Sequence, residues 1–156
     1  MSTAINKSAG AHFEAVLIHR AALTGIWAHK HELSFKYLRG GKVQPVRSEL
    51  DFALFNRDGG VCFVDAKSFE GKTFARSSLN AAQLLRSVRY CEYNVPSGFI
   101  VYCRGRGLVS FFPGWLIQRA KRGTSFTPED GRILGPVSTF RFEPVFNEFQ
   151  PTPLAA

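Results

Sequence analysis

A five-residue turn signal between two strand-like runs constrains the fold of this chain more than any other local feature. The turn is Asn56-Arg57-Asp58-Gly59-Gly60, and the runs on either side of it span residues 49–55 and 61–68. Asn, Asp and Gly supply the backbone conformations that tight hairpins require, and runs rich in Val and Phe favour strands. The pattern predicts a β-hairpin whose register is set by its loop.

The predicted register brings two acidic residues face to face. With the five turn residues as the loop, Phe55 pairs with Val61. Counting outward from that pair in steps of two places Asp51 opposite Asp65. Opposed Cβ atoms in such a ladder lie about 4.5 to 5.5 Å apart, and two carboxylates at that distance repel unless a cation lies between them. The sequence therefore predicts a divalent metal ion at this pair.

Two more residues of the second strand belong to the same group. Lys67 falls on the face of Asp65 because strand side chains alternate, whereas Ala66 points away and offers its backbone carbonyl as a ligand. Hard cations such as Mg²⁺ or Mn²⁺ prefer an all-oxygen shell of this kind. The metal would orient and acidify a water for phosphodiester hydrolysis, and Lys67 would hold that water or stabilise the developing oxyanion.

A further carboxylate lies on the first predicted helix, which spans residues 11–24. Glu14 has helical spacing with Leu17 and Ala21, so it borders the apolar stripe that faces the core. An inward glutamate needs a partner, because an unpaired buried charge is costly. The pattern leaves two alternatives open: a metal ion, or a buried pair with an arginine or a backbone N–H.

The chain carries a strong excess of positive charge, with 20 Lys and Arg against 12 Asp and Glu and a net charge of +8. A polyanionic partner such as nucleic acid suits this charge, and an acidic membrane surface would also fit. The absence of a long amphipathic basic helix favours nucleic acid. The candidate phosphate contacts are Arg39, Lys42, Arg47, Lys72, Arg76, Arg86 and Arg89. Any one of them alone is typical of a solubilising surface charge.

The remaining elements alternate along the chain around the hairpin. In order they are a loose polar arm (1–9), the first helix (11–24), a strand (33–38), a mobile basic loop (39–47), the hairpin, a second helix (79–93), two strands (99–103 and 108–112), a short helix (115–121) and a possible late strand (139–146). Ser77 or Ser78 is the predicted N-cap of the second helix. The order predicts an α/β fold in which helices flank a mixed central sheet.

Length and cysteine usage predict a single domain in a reducing compartment. The domain spans residues 10–148 and is followed by a tail at 149–156. The three cysteines are widely spaced in apolar surroundings, so we expect buried thiols rather than disulfides or a zinc site. No apolar run approaches the roughly 20 residues that span a bilayer. We therefore expect a cytoplasmic protein without a membrane partner, in a bacterium or in the host of a phage. Trp27 and Trp115 are expected in the core.

These residues resemble the PD-(D/E)xK nuclease superfamily and, within it, the RecU-type Holliday-junction resolvases over most of residues 10–117. Six segments match in order and spacing. They are Gly10-Ala11-His12-Phe13-Glu14 with Leu17, Ser48 with Asp51-Phe52, Phe63-Val64-Asp65-Ala66-Lys67-Ser68, Phe74 with Leu79 and Gln83, Gly98-Phe99-Ile100-Val101, and Phe111-Phe112-Pro113. The loop at 39–47 stands where the family has a stalk that enters the junction, and it is short. Ala82 stands where the family has a histidine.

The resemblance implies a restriction-endonuclease-like fold and a homodimeric, Mg²⁺- or Mn²⁺-dependent endonuclease of DNA recombination and repair. Such enzymes introduce paired nicks into a branched, four-way DNA junction. The implied site comprises Asp51 and Asp65 as metal ligands, Lys67 as the catalytic lysine, Glu14 as an outer or second-metal ligand, and Gln83 as a support for the site. Two other functions remain open: another PD-(D/E)xK nuclease, and a non-catalytic basic DNA-binding protein in which the aspartates are structural. Gln83 could equally be an ordinary boundary residue.

Overall fold

The fold is built on one mixed β-sheet with helices on both faces. The computed structural model describes residues 3–31, 34–46 and 50–148, and it describes the side chains of residues 8–31, 37–44 and 50–148. In chain order the elements are α1 (Thr3–Leu23), β1 (Trp27–Lys30), β2 (Ser34–Tyr37), β3 (Val43–Val46), β4 (Phe52–Phe55), β5 (Val61–Phe69), β6 (Phe74–Ala75), α2 (Ala81–Glu92), β7 (Ser97–Cys103), β8 (Leu108–Pro113), α3 (Gly114–Arg119), β9 (Ser125–Phe126), β10 (Arg132–Pro136) and α4 (Glu143–Phe146). The main sheet has the order β1-β4-β5-β7-β8-β10. Within it β5 and β7 pair in parallel, because α2 carries the chain back to the end of the sheet at which β5 begins. The other pairs are antiparallel.

The β4–β5 hairpin has the predicted register, with Phe55 paired to Val61. The side chain of Asn56 closes the loop by accepting the backbone N–H of Gly60 at 2.6 Å. Gly59 adopts a φ of +82°, which residues with a Cβ rarely adopt. Loop chemistry and strand pairing therefore agree, and the prediction is confirmed.

The two faces of the sheet bury separate hydrophobic clusters. On the α1 face, α1 and the C-terminal segment pack on a cluster that includes Phe13, Leu17, Phe52, Ile100 and Phe140. On the α2 face, α2 and α3 border a second cluster that includes Phe74, Phe99, Phe112, Ile117 and Phe126. Because strand side chains alternate, each residue of β4 or β5 is assigned to one face by its position alone.

The N-terminal region differs from the sequence-based expectation in two ways. The first helix begins at Thr3, inside the predicted polar arm, because the segment contains alanines and no proline, and a nucleated helix extends readily through such residues. Residues 27–30 form β1, an edge strand that was not predicted and that pairs with β4. The prediction of Trp27 as a core residue is wrong, since its exposed fraction is 63%.

The basic loop predicted at 39–47 is in part a second hairpin. Strand β3 pairs with β2, and the turn between them places Gly40 and Gly41 at φ values of +85° and +75°. Glycines and Pro45 indicated a loop, but a proline is tolerated in a two-stranded sheet, where each strand is an edge. Arg47, Ser48 and the tail at 149–156 lie outside the described residues.

The second helix starts later than predicted. Asn80 is its N-cap, and its side-chain oxygen accepts the backbone N–H groups of Ala82 at 2.9 Å and Gln83 at 3.1 Å. Ser77 and Ser78 lie in a preceding 3₁₀ turn, Arg76–Ser78. The serines were plausible caps by residue type, but asparagine caps a helix at least as well.

The late strand predicted at 139–146 is wrong. This stretch contains a turn and the short helix α4, whereas the last strand of the described residues is β10, which ends before it at Pro136. Proline at the start of α4 explains the helix, since its fixed φ suits the first helical turn and its missing N–H disfavours a strand.

The three cysteines are free and buried, as predicted. Burial raises the pKa of each thiol, so the reactive thiolate is disfavoured at all three positions. None of the helices in residues 3–31, 34–46 and 50–148 has the length and apolar character to cross a bilayer.

Candidate active site

Close packing between α2 and α3 sets the position of the helix that covers the site. A Cβ on Gly114 would lie 2.1 Å from the Ser87 hydroxyl oxygen, so only glycine allows α3 to approach α2 this closely. The Ser87 hydroxyl donates to the Leu84 carbonyl at 2.8 Å and is therefore satisfied within its own helix. The first turn of α2 then holds Gln83 above β5, on the α2 face.

Asp65 is the centre of the site, and its side chain is fully buried. One carboxylate oxygen, Oδ1, accepts the Gln83 side-chain N–H at 3.0 Å and the Asp51 backbone N–H at 3.3 Å. The other, Oδ2, lies 2.6 Å from the Lys67 ammonium nitrogen. Four residues predicted from the sequence thus meet at the Asp65 carboxylate on the α2 face, namely Asp51, Asp65, Lys67 and Gln83.

Burial holds the pKa of the Asp65 carboxyl well above the ordinary value of an aspartate. Burial is the largest cause and the neighbouring Asp51 carboxyl adds to it, so that the pKa of Asp65 rises to about 7 although Lys67 acts to lower it. Among the described residues, Lys67 is the cation that contacts Asp65, and Lys30 lies within electrostatic reach of Asp51. A carboxyl whose pKa is raised by burial and by a second carboxyl is stabilised in its ionised form by a further cation beside it.

The donor atoms fit a hard divalent cation. Asp51 and Asp65 contribute adjacent carboxylates, and the buried Oε1 of Gln83 accepts no hydrogen bond from the described residues. Within the described ranges no three His, Cys, Asp or Glu side chains converge, so other oxygens would have to complete the shell. Mg²⁺ is commonly held in this way, by one or two carboxylates together with water and phosphate oxygens.

Ala66 has the orientation predicted for it. Its side chain packs against the α1-face cluster, away from the carboxylates. In the described part of the chain, the last pair between β4 and β5 is Phe52–Val64. Ala66 lies two residues beyond Val64, so β4 does not pair with it.

Glu14 has a cationic partner in the structure. The Lys30 ammonium nitrogen of β1 lies 2.6 Å from the Glu14 carboxylate oxygen. The Glu14 hydrogen bond is the main cause that raises the pKa of Lys30, and the charge of Asp51 raises it further. Glu14 therefore pairs with a lysine in a partly exposed ion pair, and not in the buried pair with an arginine or a backbone N–H that was one of the two alternatives. The other alternative, a metal ion, stays a prediction. The sequence did not identify Lys30 because the strand that carries it was missed.

The candidate phosphate contacts differ in their surroundings. Arg76 donates from Nε to the Ile117 carbonyl at 2.9 Å and so helps to fasten its 3₁₀ turn to α3. Arg89 lies 3.5 Å from Glu92 in an exposed ion pair. The other described candidates are exposed side chains, namely Arg39, Lys42, Lys72 and Arg86.

Comparison with solved structures identifies the fold. The structure is similar to that of Hjc from Archaeoglobus fulgidus, a Holliday junction resolvase from an archaeal hyperthermophile, with a TM-score of 0.54 and 16% sequence identity over 83% of this chain and 97% of that chain. No protein-family profile and no curated protein matches the sequence. The chain has a restriction-endonuclease-like fold, in which helices flank a mixed central sheet.

Proposed function

We propose that this protein is a divalent-metal-dependent endonuclease that resolves four-way DNA junctions. The observation that carries the proposal is the buried Asp65 carboxylate, which contacts Lys67, Gln83 and the Asp51 backbone on one face of a restriction-endonuclease-like sheet. The similarity of the fold to a Holliday junction resolvase supports the choice of substrate. The net charge of +8 supports a polyanionic one.

In this proposal Asp51, Asp65 and the Ala66 carbonyl would hold Mg²⁺ or Mn²⁺. When bound, such an ion would supply the Lewis acidity that lowers the pKa of an attacking water and offsets charge on the phosphate. Lys67 is positioned to orient that water or to stabilise the developing oxyanion, since its ammonium contacts Asp65 and is partly open to solvent. Gln83 fixes the orientation of the Asp65 carboxylate through its hydrogen bond.

The substrate also suggests the assembly. A four-way junction has two equivalent strands to nick, and a two-fold homodimer presents two equivalent sites to them. We therefore propose a homodimer in which each subunit cuts one strand. Exposed basic residues such as Arg39, Lys42 and Lys72 are the proposed phosphate contacts.

The direct test is to incubate the protein with a labelled immobile four-way junction and with a matched linear duplex, each in Mg²⁺ and in EDTA. We expect paired nicks in the junction that require the metal. Equal cleavage of both substrates would indicate a nuclease of another specificity. Metal-independent binding with no cleavage would identify a non-catalytic DNA-binding protein.

Replacing Gln83 by Leu tests the support given to Asp65. The substitution removes the hydrogen bond to Oδ1, and we expect divalent-metal affinity and cleavage rate to fall about 10- to 100-fold, as for other residues that orient a metal ligand. Calorimetric titration with Mn²⁺ measures the affinity. Leu85→Gln is the matched control, because Leu85 is exposed on the same helix. Unchanged affinity in Gln83→Leu would identify Gln83 as an ordinary boundary residue.

Replacing Lys30 by Met tests whether Glu14 can serve the metal. We propose that Glu14 is an outer ligand that becomes available only when Lys30 releases it. Removing this cation also relieves its repulsion of the metal, so we expect Mn²⁺ affinity to rise about three- to ten-fold. Adding Glu14→Gln should cancel the increase, and Lys72→Met, which removes an exposed lysine elsewhere, should not reproduce it. An unchanged affinity in Lys30→Met would exclude Glu14 from the site.

A further inference from the structure

A continuous band of six rings crosses the α2 face beside the candidate active site. The distances between ring centroids are 4.9 Å for Trp27 and Phe55, 5.5 Å for Trp27 and His29, 5.8 Å for His29 and His31, 6.2 Å for His31 and Phe63, and 4.3 Å for Phe63 and Tyr90. We call these six residues the aromatic band. None of them belongs to either buried cluster of the described chain.

Strand alternation explains why the rings share a face with the carboxylates. Trp27 pairs with Phe55 and His29 pairs with Ala53, which in turn pairs with Phe63. Each pair lies on one side of the sheet, so these side chains lie on the α2 face. Phe63 precedes Asp65 by two residues on β5 and therefore shares its face.

The aromatic band reaches the candidate site at His31. The backbone N–H of His31 donates to the Asp51 carbonyl at 2.8 Å, which continues the contact between β1 and the chain before β4. The Nδ1 atom of His31 lies 2.7 Å from the Leu50 carbonyl oxygen. A carbonyl only accepts hydrogen bonds, so Nδ1 carries a proton and the ring orientation is fixed. From His31 the band follows the edge strand for roughly 13 Å to Trp27.

Trp27, at the far end, contributes little to the core. Its exposed fraction is 63%, while its ring stacks on Phe55 at an interplanar angle of 27°. A large ring that is held in place by a neighbour and still open to solvent offers a face to a flat ligand. His29, next along the strand, is also exposed.

We propose that the aromatic band binds unpaired DNA bases by stacking, on the strand that leads to the candidate active site. The proposal rests on the proposed function for its substrate class. Aromatic side chains bind bases of any sequence in this way, and the band is continuous with Asp51. The net charge of +8 favours a polyanionic strand as the occupant of the band.

The test uses Trp27 as its own probe. In the variant Trp115→Phe, Trp27 is the remaining tryptophan of the chain. This variant is titrated in EDTA with a thymidine oligonucleotide and with an abasic strand of equal length and charge. We expect the thymidine strand to quench Trp27 fluorescence and to bind at least about five-fold more tightly than the abasic strand. The affinities of two further variants are read from the fluorescence anisotropy of a dye on the strand, which does not depend on Trp27. Trp27→Ala should lose the difference between the two strands, whereas Tyr37→Ala, which removes an exposed ring outside the band, should keep it.

Two results would overturn the proposal. Equal binding of the two strands without quenching would mean that only phosphates are recognised. A blue shift of Trp27 emission that grows with protein concentration in the absence of DNA would mean that a second copy covers the band. Both readouts are taken in EDTA and involve no cleavage, so they are independent of the junction assay that tests the proposed function.

Discussion

Asp65→Asn is expected to abolish junction cleavage while leaving a folded protein that still binds DNA. The substitution keeps the shape of a fully buried side chain but removes the charge that would hold the metal. We expect the rate to fall by about 10³-fold or more, as when a principal electrostatic group is lost from an active site. Gel-shift titration in EDTA and single-turnover cleavage in Mg²⁺ separate binding from chemistry. Asp58→Asn, in the exposed hairpin loop, is the control for loss of a carboxylate.

The same substitution should increase stability at alkaline pH. The pKa of Asp65 is about 7 in the folded protein against an ordinary value of 3.8, so the folded state binds this proton more tightly than the unfolded state does. The stability that this bound proton contributes to the folded state is complete below about pH 4 and is lost as the pH rises to about 7. At pH 8 in EDTA we therefore expect the free energy of unfolding of Asp65→Asn to exceed that of the wild type by on the order of 2 to 4 kcal/mol.

Urea denaturation at pH 5 and pH 8 measures this difference. The wild type should lose stability between the two values, and the variant should lose less. If the two proteins show the same change with pH, the Asp65 carboxyl is already ionised at pH 5 in the folded protein, and its ionisation does not lower stability between pH 5 and pH 8.

Lys67→Met should reduce cleavage about 10²- to 10⁴-fold, the range expected when a residue that handles the attacking water or the developing charge is removed. The same substitution should have the opposite effect on metal affinity, which we expect to increase. The Lys67 ammonium competes with a metal for Asp65, which it contacts at 2.6 Å, so its removal should strengthen Mn²⁺ binding. Calorimetry and single-turnover cleavage give the two quantities, with Lys72→Met as the control. Parallel loss of metal binding and cleavage would instead assign Lys67 a structural role.

The parts of the site that local chemistry determines could be predicted from the sequence. The loop residues Asn56 and Gly59 define the hairpin, and strand alternation then places Lys67 on the face of Asp65, which Asp51 reaches from the residue before β4. The contact between Gln83 and Asp65 required more than periodicity. The helix pattern put Gln83 beside the apolar stripe, and only the resemblance to a nuclease family suggested that it serves the site.

The parts that depend on long-range pairing could not be predicted. The β1 sequence Trp-Ala-His-Lys has no apolar run, and it is a strand because β4 offers a free edge in space. Missing β1 also concealed the ion pair of Lys30 with Glu14 and the exposed position of Trp27. The β2–β3 hairpin was missed for a related reason, since its proline and glycines resemble a loop when neighbouring strands are unknown.

The fit of Gly114 against Ser87 has a consequence for how this protein can evolve. A residue without a side chain, on a helix that supplies no group to the candidate site, allows α3 to lie closely against α2, the helix that carries Gln83 to Asp65. Selection for activity would retain glycine at this position as strictly as it retains a ligand. A survey of tolerated substitutions would then rank Gly114 with the residues that touch the substrate, although Gly114 contributes only the space that a side chain would fill.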